Sequence, residues 1–203
     1  AGGINGLGSL FYYAALGRID ASLGQLLFAL YPLFLVIWLW FDHQPPSRFT
    51  LFRLFLIIPA IFLLTQSEYH HVDLIGVLMM LIASSLYAFH LPINQRVLYD
   101  MPAPTVTLYT LLAMSIVVLP AFVMAKASLF PAINVAWGSV FGLTLVTFLS
   151  RLALFVGIKH LGGMQTALLG LGELLITILV SYLWLGEQFS LLQWGGAIIL
   201  ITS

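Results

Sequence analysis

Residues 167 to 180 read ALLGLGELLITILV, with one carboxylic residue, Glu173, inside an apolar run. An ionised carboxylate in hydrocarbon costs at least ~2.5 kcal/mol on insertion scales, so such residues mark solute or proton pathways unless they merely join helices by hydrogen bonds. Arg151 is its candidate partner. Folding the chain back near residue 160 puts the two at depths about three residues apart, ~5 Å at the helical rise, although Arg151 could instead snorkel toward the headgroups near Lys159. Tyr87, His90 and Asn94 fall at i, i+3 and i+7 and share one helical face, with Ser84 a turn earlier. That face offers hydrogen bonds without fixed charge and suits a small polar or amphipathic solute; interhelical hydrogen bonding is its plainer use. Gln25 and Tyr12 are weaker members of the same substrate-binding set, with Tyr13 beside Tyr12.

Other chemistry finds no pattern. His70 and His71 with Glu68 and Asp73 sit in a short interfacial loop without the i, i+4 helical spacing that zinc sites use, so no metal is expected. A Gly-rich phosphate loop, a His-Glu-x-x-His pair and a nucleophile elbow are all missing from the sequence, and there is no cysteine to serve as nucleophile or thiolate ligand. The expectation is no catalytic residue and no cofactor.

The elements that must hold the polar residues follow from composition. Hydrophobic residues make up 62% of the 203 and charged residues only 7%, far below the ~25% charged usual in soluble domains. The apolar residues come in blocks of about 18 to 24, close to the ~20 that a helix needs to cross ~30 Å of hydrocarbon. Seven basic residues balance seven acidic ones, which removes nucleic acid as an expected partner. Charges and prolines divide the chain into eight segments: 1–17, 20–41, 50–67, 73–95, 104–125, 134–157, 163–185 and a last one from Ser190. Backbone groups in lipid must be satisfied within each segment, so these are helices; β-barrel strands would alternate polar and apolar residues, and these blocks are apolar all round. Both ends look cut, and the last segment is too short to span. Arg48, Arg53, Arg96 and Lys159 on one side against Arg18 and Lys126 on the other favour the first side as cytoplasmic. Trp38, Trp40, Trp137, Trp184 and Trp194 lie mostly near segment ends and read as an interfacial belt.

Residues 17–34 (GRIDASLGQLLFALYPLF) and 159–176 (KHLGGMQTALLGLGELLI) align without a gap, pairing Ile19 with Leu161, Leu26 with Leu168, Leu27 with Leu169 and Pro32 with Leu174. Each copy follows a basic residue at a tight turn. Five crossings separate the two, an odd number, so the second copy lies upside down relative to the first, the arrangement of secondary transporters built from inverted repeats.

The stretches 12–40, 76–98 and 162–200 resemble EamA-type members of the drug/metabolite transporter superfamily, whose closing pattern is a mid-membrane Glu-Pro, then Leu-Gly-Glu, then a glycine-containing helix. Glu173 and Leu185-Gly186-Glu187 match it. Leu174 occupies the place of the proline, which Pro32 keeps in the first copy, so a kink in the seventh segment loses its sequence basis. The resemblance implies an all-α multi-pass bundle of two inverted five-helix repeats, with about eight of ten membrane helices in this chain. Residues 1–67 would be three helices of the first repeat, and 73–203 the second repeat with its last helix truncated. It further implies a secondary-active transporter of small metabolites or drugs, in the plasma or inner membrane, working by alternating access. Its partners would be the bilayer, a small-molecule solute and a coupling proton or counter-solute; oligomeric state is left open. A non-transporting scaffold or channel is the alternative, followed by an intramembrane enzyme, for which His90 with Glu173 is the only convergent pair.

Overall fold

A computed structural model describes residues 1–19, 21–43, 47–64, 73–125, 135–180, 183, 194–195 and 198–199. Most of the final segment, the Leu-Gly-Glu at 185–187, Trp184 and the residues 68–71 of the histidine cluster lie outside them. The protein is an all-α multi-pass membrane bundle. Its helices are α1 (Gly2–Leu16), α2 (Ala21–Phe28), α3 (Tyr31–Phe41), α4 (Arg48–Leu64), α5 (Leu74–Asp100), α6 (Ala103–Met124), α7 (Val135–Leu161), α8 (Gly163–Gly170) and α9 (Gly172–Val180). Among the described residues four runs are long and apolar enough to cross a membrane: Leu23–Phe41, Leu74–Asp100, Ala103–Met124 and Trp137–Leu161.

Up to residue 180 the expected segments and the helices coincide, with two differences. α4 starts at Arg48, and α5 and α7 run on to Asp100 and Leu161, so Arg48, Arg53, Arg96 and Lys159 all sit on helices and not in loops. The second and seventh segments are each split in two, as α2–α3 and α8–α9.

α5 is the central element. It packs against α1, α2, α3 and α7, and α1 in turn lies along α6. The glycines of α1 permit that approach: a Cβ on Gly2 would stand 2.6 Å from the Thr110 carbonyl oxygen, and one on Gly6 3.0 Å from Val117 Cβ. A continuous core runs through Leu35, Ala88, Leu91, Leu98, Phe155 and Ile158. Large apolar side chains on the outer faces of α6 and α7, such as Ile116, Phe141 and Leu143, are exposed, as lipid-facing positions are.

Both ends of α5 are tied to the first part of the chain. Asp73 caps the helix, accepting from the Ile75 amide at 2.9 Å, and pairs with Arg18 at 3.1 Å. Near the other end Arg96 pairs with Asp42. The α7–α8 turn needs Gly162, at φ +85°, and Gln95 Oε1 accepts from the Gly163 amide at 2.7 Å. Trp38 departs from the interfacial belt: it stacks on Phe89 at 4.5 Å and donates to the Ser85 carbonyl at 3.3 Å, whereas Trp40 is largely exposed.

Candidate solute site

The two broken helices shape the site. In α2–α3 the cause is Pro32, which has no N–H to give to the Phe28 carbonyl one turn back. Ser84 Oγ of α5 donates to that carbonyl instead, at 3.0 Å. The α8–α9 break has no proline. There the Tyr31 hydroxyl, arriving from the first break, donates to the Ala167 carbonyl at 2.5 Å. That is the acceptor an unbroken helix would offer to the Leu171 amide, which turns to Leu168 O at 3.2 Å. An inserted side chain is a recognised cause of such a break. Gly170 makes room for it, since a Cβ there would stand 2.7 Å from the Tyr31 hydroxyl oxygen.

Beside these breaks a cavity of about 1080 Å³ opens among α1, α2, α5, α7, α8 and α9. Its polar lining comes from Asn5, Ser9 and Tyr12 on α1 and from Thr147, Ser150 and Arg151 on α7. Glu173 stands at the start of α9, just past the second break, and Tyr87 and Phe28 supply an aromatic wall. The Arg151 guanidinium carbon lies 6.0 Å from the centre of the Tyr87 ring, at the outer limit of a cation–π contact. Glu173 is within electrostatic reach of the Tyr12, Tyr31 and Tyr87 hydroxyls. An aromatic chain runs through the site: Tyr12 meets Phe28 at 5.0 Å, Phe28 meets Tyr87 at 5.2 Å, and Tyr87 meets Tyr31 at 5.0 Å. A basic and an acidic residue, several hydroxyls and aromatic faces around one hollow can hold an amphipathic solute by its polar end and its body.

Of the seven residues singled out in the sequence, Glu173, Arg151, Tyr87 and Tyr12 line this cavity. His90 and Asn94 do not: they are fully buried on the next turns of α5. Gln25 is half-buried on α2 and also off the lining. The lining contains Asn5, Ser9, Thr147 and Ser150, which sequence reasoning passed over. A signal for them existed. Carrying the alignment of residues 17 and 159 backwards without a gap pairs Asn5, Gly8, Ser9 and Tyr12 with Thr147, Ser150, Arg151 and Leu154, and all eight line the cavity. Carried forwards, it sets one helix break on the other and pairs Tyr31 with Glu173.

A family model described as the EamA-like transporter family matches residues 74–203, more than half of the chain. The chain belongs to that family. No curated protein sequence matches this EamA-like chain. One chain of known crystal structure superimposes on it with a TM-score of 0.80 at 15% identity, over 99% of this chain and 74% of that one. At that identity the likeness speaks for the fold alone. The matching family is described as one of transporters.

Proposed function

We propose that this EamA-like protein is a secondary-active carrier of small metabolites or drugs, and that the cavity between α1, α5, α7 and α9 is its solute site. The observation that carries the reading is the meeting of Arg151, Glu173, Tyr87 and Tyr12 around one hollow of about 1080 Å³ inside a membrane bundle. Ionisable residues within membrane segments are costly to bury and commonly mark solute or proton pathways. In this reading the repeats are those of residues 1–67 and 73–203, and they rock about the site to expose it to each face in turn. The coinciding helix breaks and the eight paired lining positions support an inverted repeat. Arg151 takes an anionic or strongly polar group, Glu173 a cationic group or a coupling proton, and the tyrosines the apolar body. The face bearing Arg48, Arg96 and Lys159 is the cytoplasmic one of a plasma or inner membrane.

The test is a thermal-shift screen of the detergent-solubilised full-length protein against amino acids, nucleobases and sugar phosphates. A stabilising solute should then be carried by proteoliposomes, and its shift should vanish in Arg151→Gln. A solute that stabilises Arg151→Gln as well as the wild type contradicts this placement of the site.

A further inference from the structure

Two buried polar side-chain atoms on α5 lack a hydrogen-bond partner among the described residues. His90 is 0% exposed and Asn94 1%, and neither His90 Nε2 nor Asn94 Nδ2 has a hydrogen-bond partner. Leaving a buried donor or acceptor unmade costs about 1–3 kcal/mol for each group. Two such atoms, at i and i+4 of one helix, lie on the same face about 6 Å apart along the axis. Their polarity is fixed. His90 Nδ1 donates to the Tyr87 carbonyl, so in the neutral ring Nε2 is an acceptor, and the Asn94 amide nitrogen is a donor.

Tyr87 links His90 to the cavity. Its ring lines the cavity, lies 4.8 Å from the His90 ring, and is held in place by Phe28 at 5.2 Å and Tyr31 at 5.0 Å. Arg151, on the cavity side, is within electrostatic reach of both Tyr87 and His90. The Tyr87 ring therefore borders both the hollow and the His90 ring, and Asn94 lies one turn further along the same face of α5. We propose that His90 and Asn94 form a second, inner subsite, closed by Tyr87 in the conformation seen here, which takes an uncharged hydrogen-bonding edge of the transported solute, such as a polyol or carboxamide.

The inference rests on the cavity being the solute site and deepens that reading. An edge presenting one donor to Nε2 and one acceptor to the Asn94 amide would satisfy both atoms, while the charged end remained at Arg151 and Glu173. A rotation of Tyr87 would open His90 and Asn94 to the hollow, which would let the inner subsite engage as the outer one closes.

Because the 203 residues contain no cysteine, single cysteines report access cleanly. In the full-length, otherwise cysteine-free protein in liposomes, Asn94→Cys and His90→Cys are each treated with 2-hydroxyethyl methanethiosulfonate, a small uncharged reagent, with Tyr87 intact or replaced by alanine. Minor open states are typically 0.1–10% populated, so removing the gate should speed modification about tenfold or more. Leu98→Cys, equally buried on α5 but in an apolar setting, should stay unreactive in both backgrounds. The inner subsite is overturned if neither Asn94→Cys nor His90→Cys reacts, if the rate ignores Tyr87, or if Leu98→Cys reacts as fast. Having two positions keeps the test decisive should one variant fail to insert. Ser9→Cys on the cavity wall separates the two readings: if it reacts while residues 90 and 94 do not, only the inner subsite falls, and if it too is inert, the cavity reading falls with it.

Discussion

The α2–α3 and α8–α9 breaks occupy matching positions in the two copies, yet they are built differently. The first is made by Pro32 and sealed internally by Ser84; the second is made by Tyr31, reaching over from the first, and leaves Glu173 on the cavity wall. One break is thus structural and closed, and the other is held open by its counterpart. The difference teaches that helix breaks at matching sequence positions can divide labour. A buried tyrosine in one copy stands where the other copy has its acidic residue.

The sharpest way to break this contrast is to exchange each residue for its closest isostere and measure solute flux in proteoliposomes. Glu173→Gln should insert normally and transport no faster than empty liposomes. Tyr31→Phe should lose only part of the transport, and less than about 1 kcal/mol of stability, because the Leu171 amide can reclaim the Ala167 carbonyl. Full transport by Glu173→Gln would remove this residue from the mechanism.

The glycines flanking the second break come next. Gly170→Ala drives a methyl group to 2.7 Å from the Tyr31 hydroxyl and should cost about 1–3 kcal/mol in unfolding titrations. Gly172→Ala meets nothing within 4 Å and should be neutral or stabilising by up to about 1 kcal/mol. Equal effects would show that Tyr31 is not wedged at this break. Ser84→Ala tests the first break in the same way. It orphans the Phe28 carbonyl and should cost roughly 1–2 kcal/mol.

These breaks also mark how far the sequence could be read. Segment limits were legible because the bilayer imposes them, and Arg151 and Glu173, which a fixed rise per residue sets at similar distances from the turn near residue 160, both line the cavity. Pro32 is a local signal and its break was legible too. The second break was not, because Tyr31 lies 136 residues from the carbonyl it takes, a tertiary contact without a local motif. His90 and Asn94 were legible as sharing a face with Tyr87, but not as buried away from the cavity wall that it lines. Spacing on a helix gives direction, while the neighbours that cover a side chain come from other segments.

The smallest expected effect lies outside the membrane. The Ile75 amide, and then the Arg18 side chain, hold the Asp73 carboxyl below the ordinary carboxylate range. A carboxyl lowered in this way adds stability above its unfolded-state pKa and loses it as the pH falls through the folded value. The thermal midpoint of the wild type should therefore exceed that of Asp73→Asn by a small margin at neutral pH, and the two should converge below about pH 4. A margin that persists in acid would place the contribution elsewhere.

The central claim is that a single hollow, the one bearing Arg151 and Glu173, meets both sides of the membrane in alternation. Its most direct test is labelling of Ser9→Cys, on the cavity wall, with a membrane-impermeant thiol reagent in right-side-out and inside-out vesicles. The account predicts modification from either face, with the stabilising solute protecting against both. Modification from one face only, whatever solute is present, would contradict it.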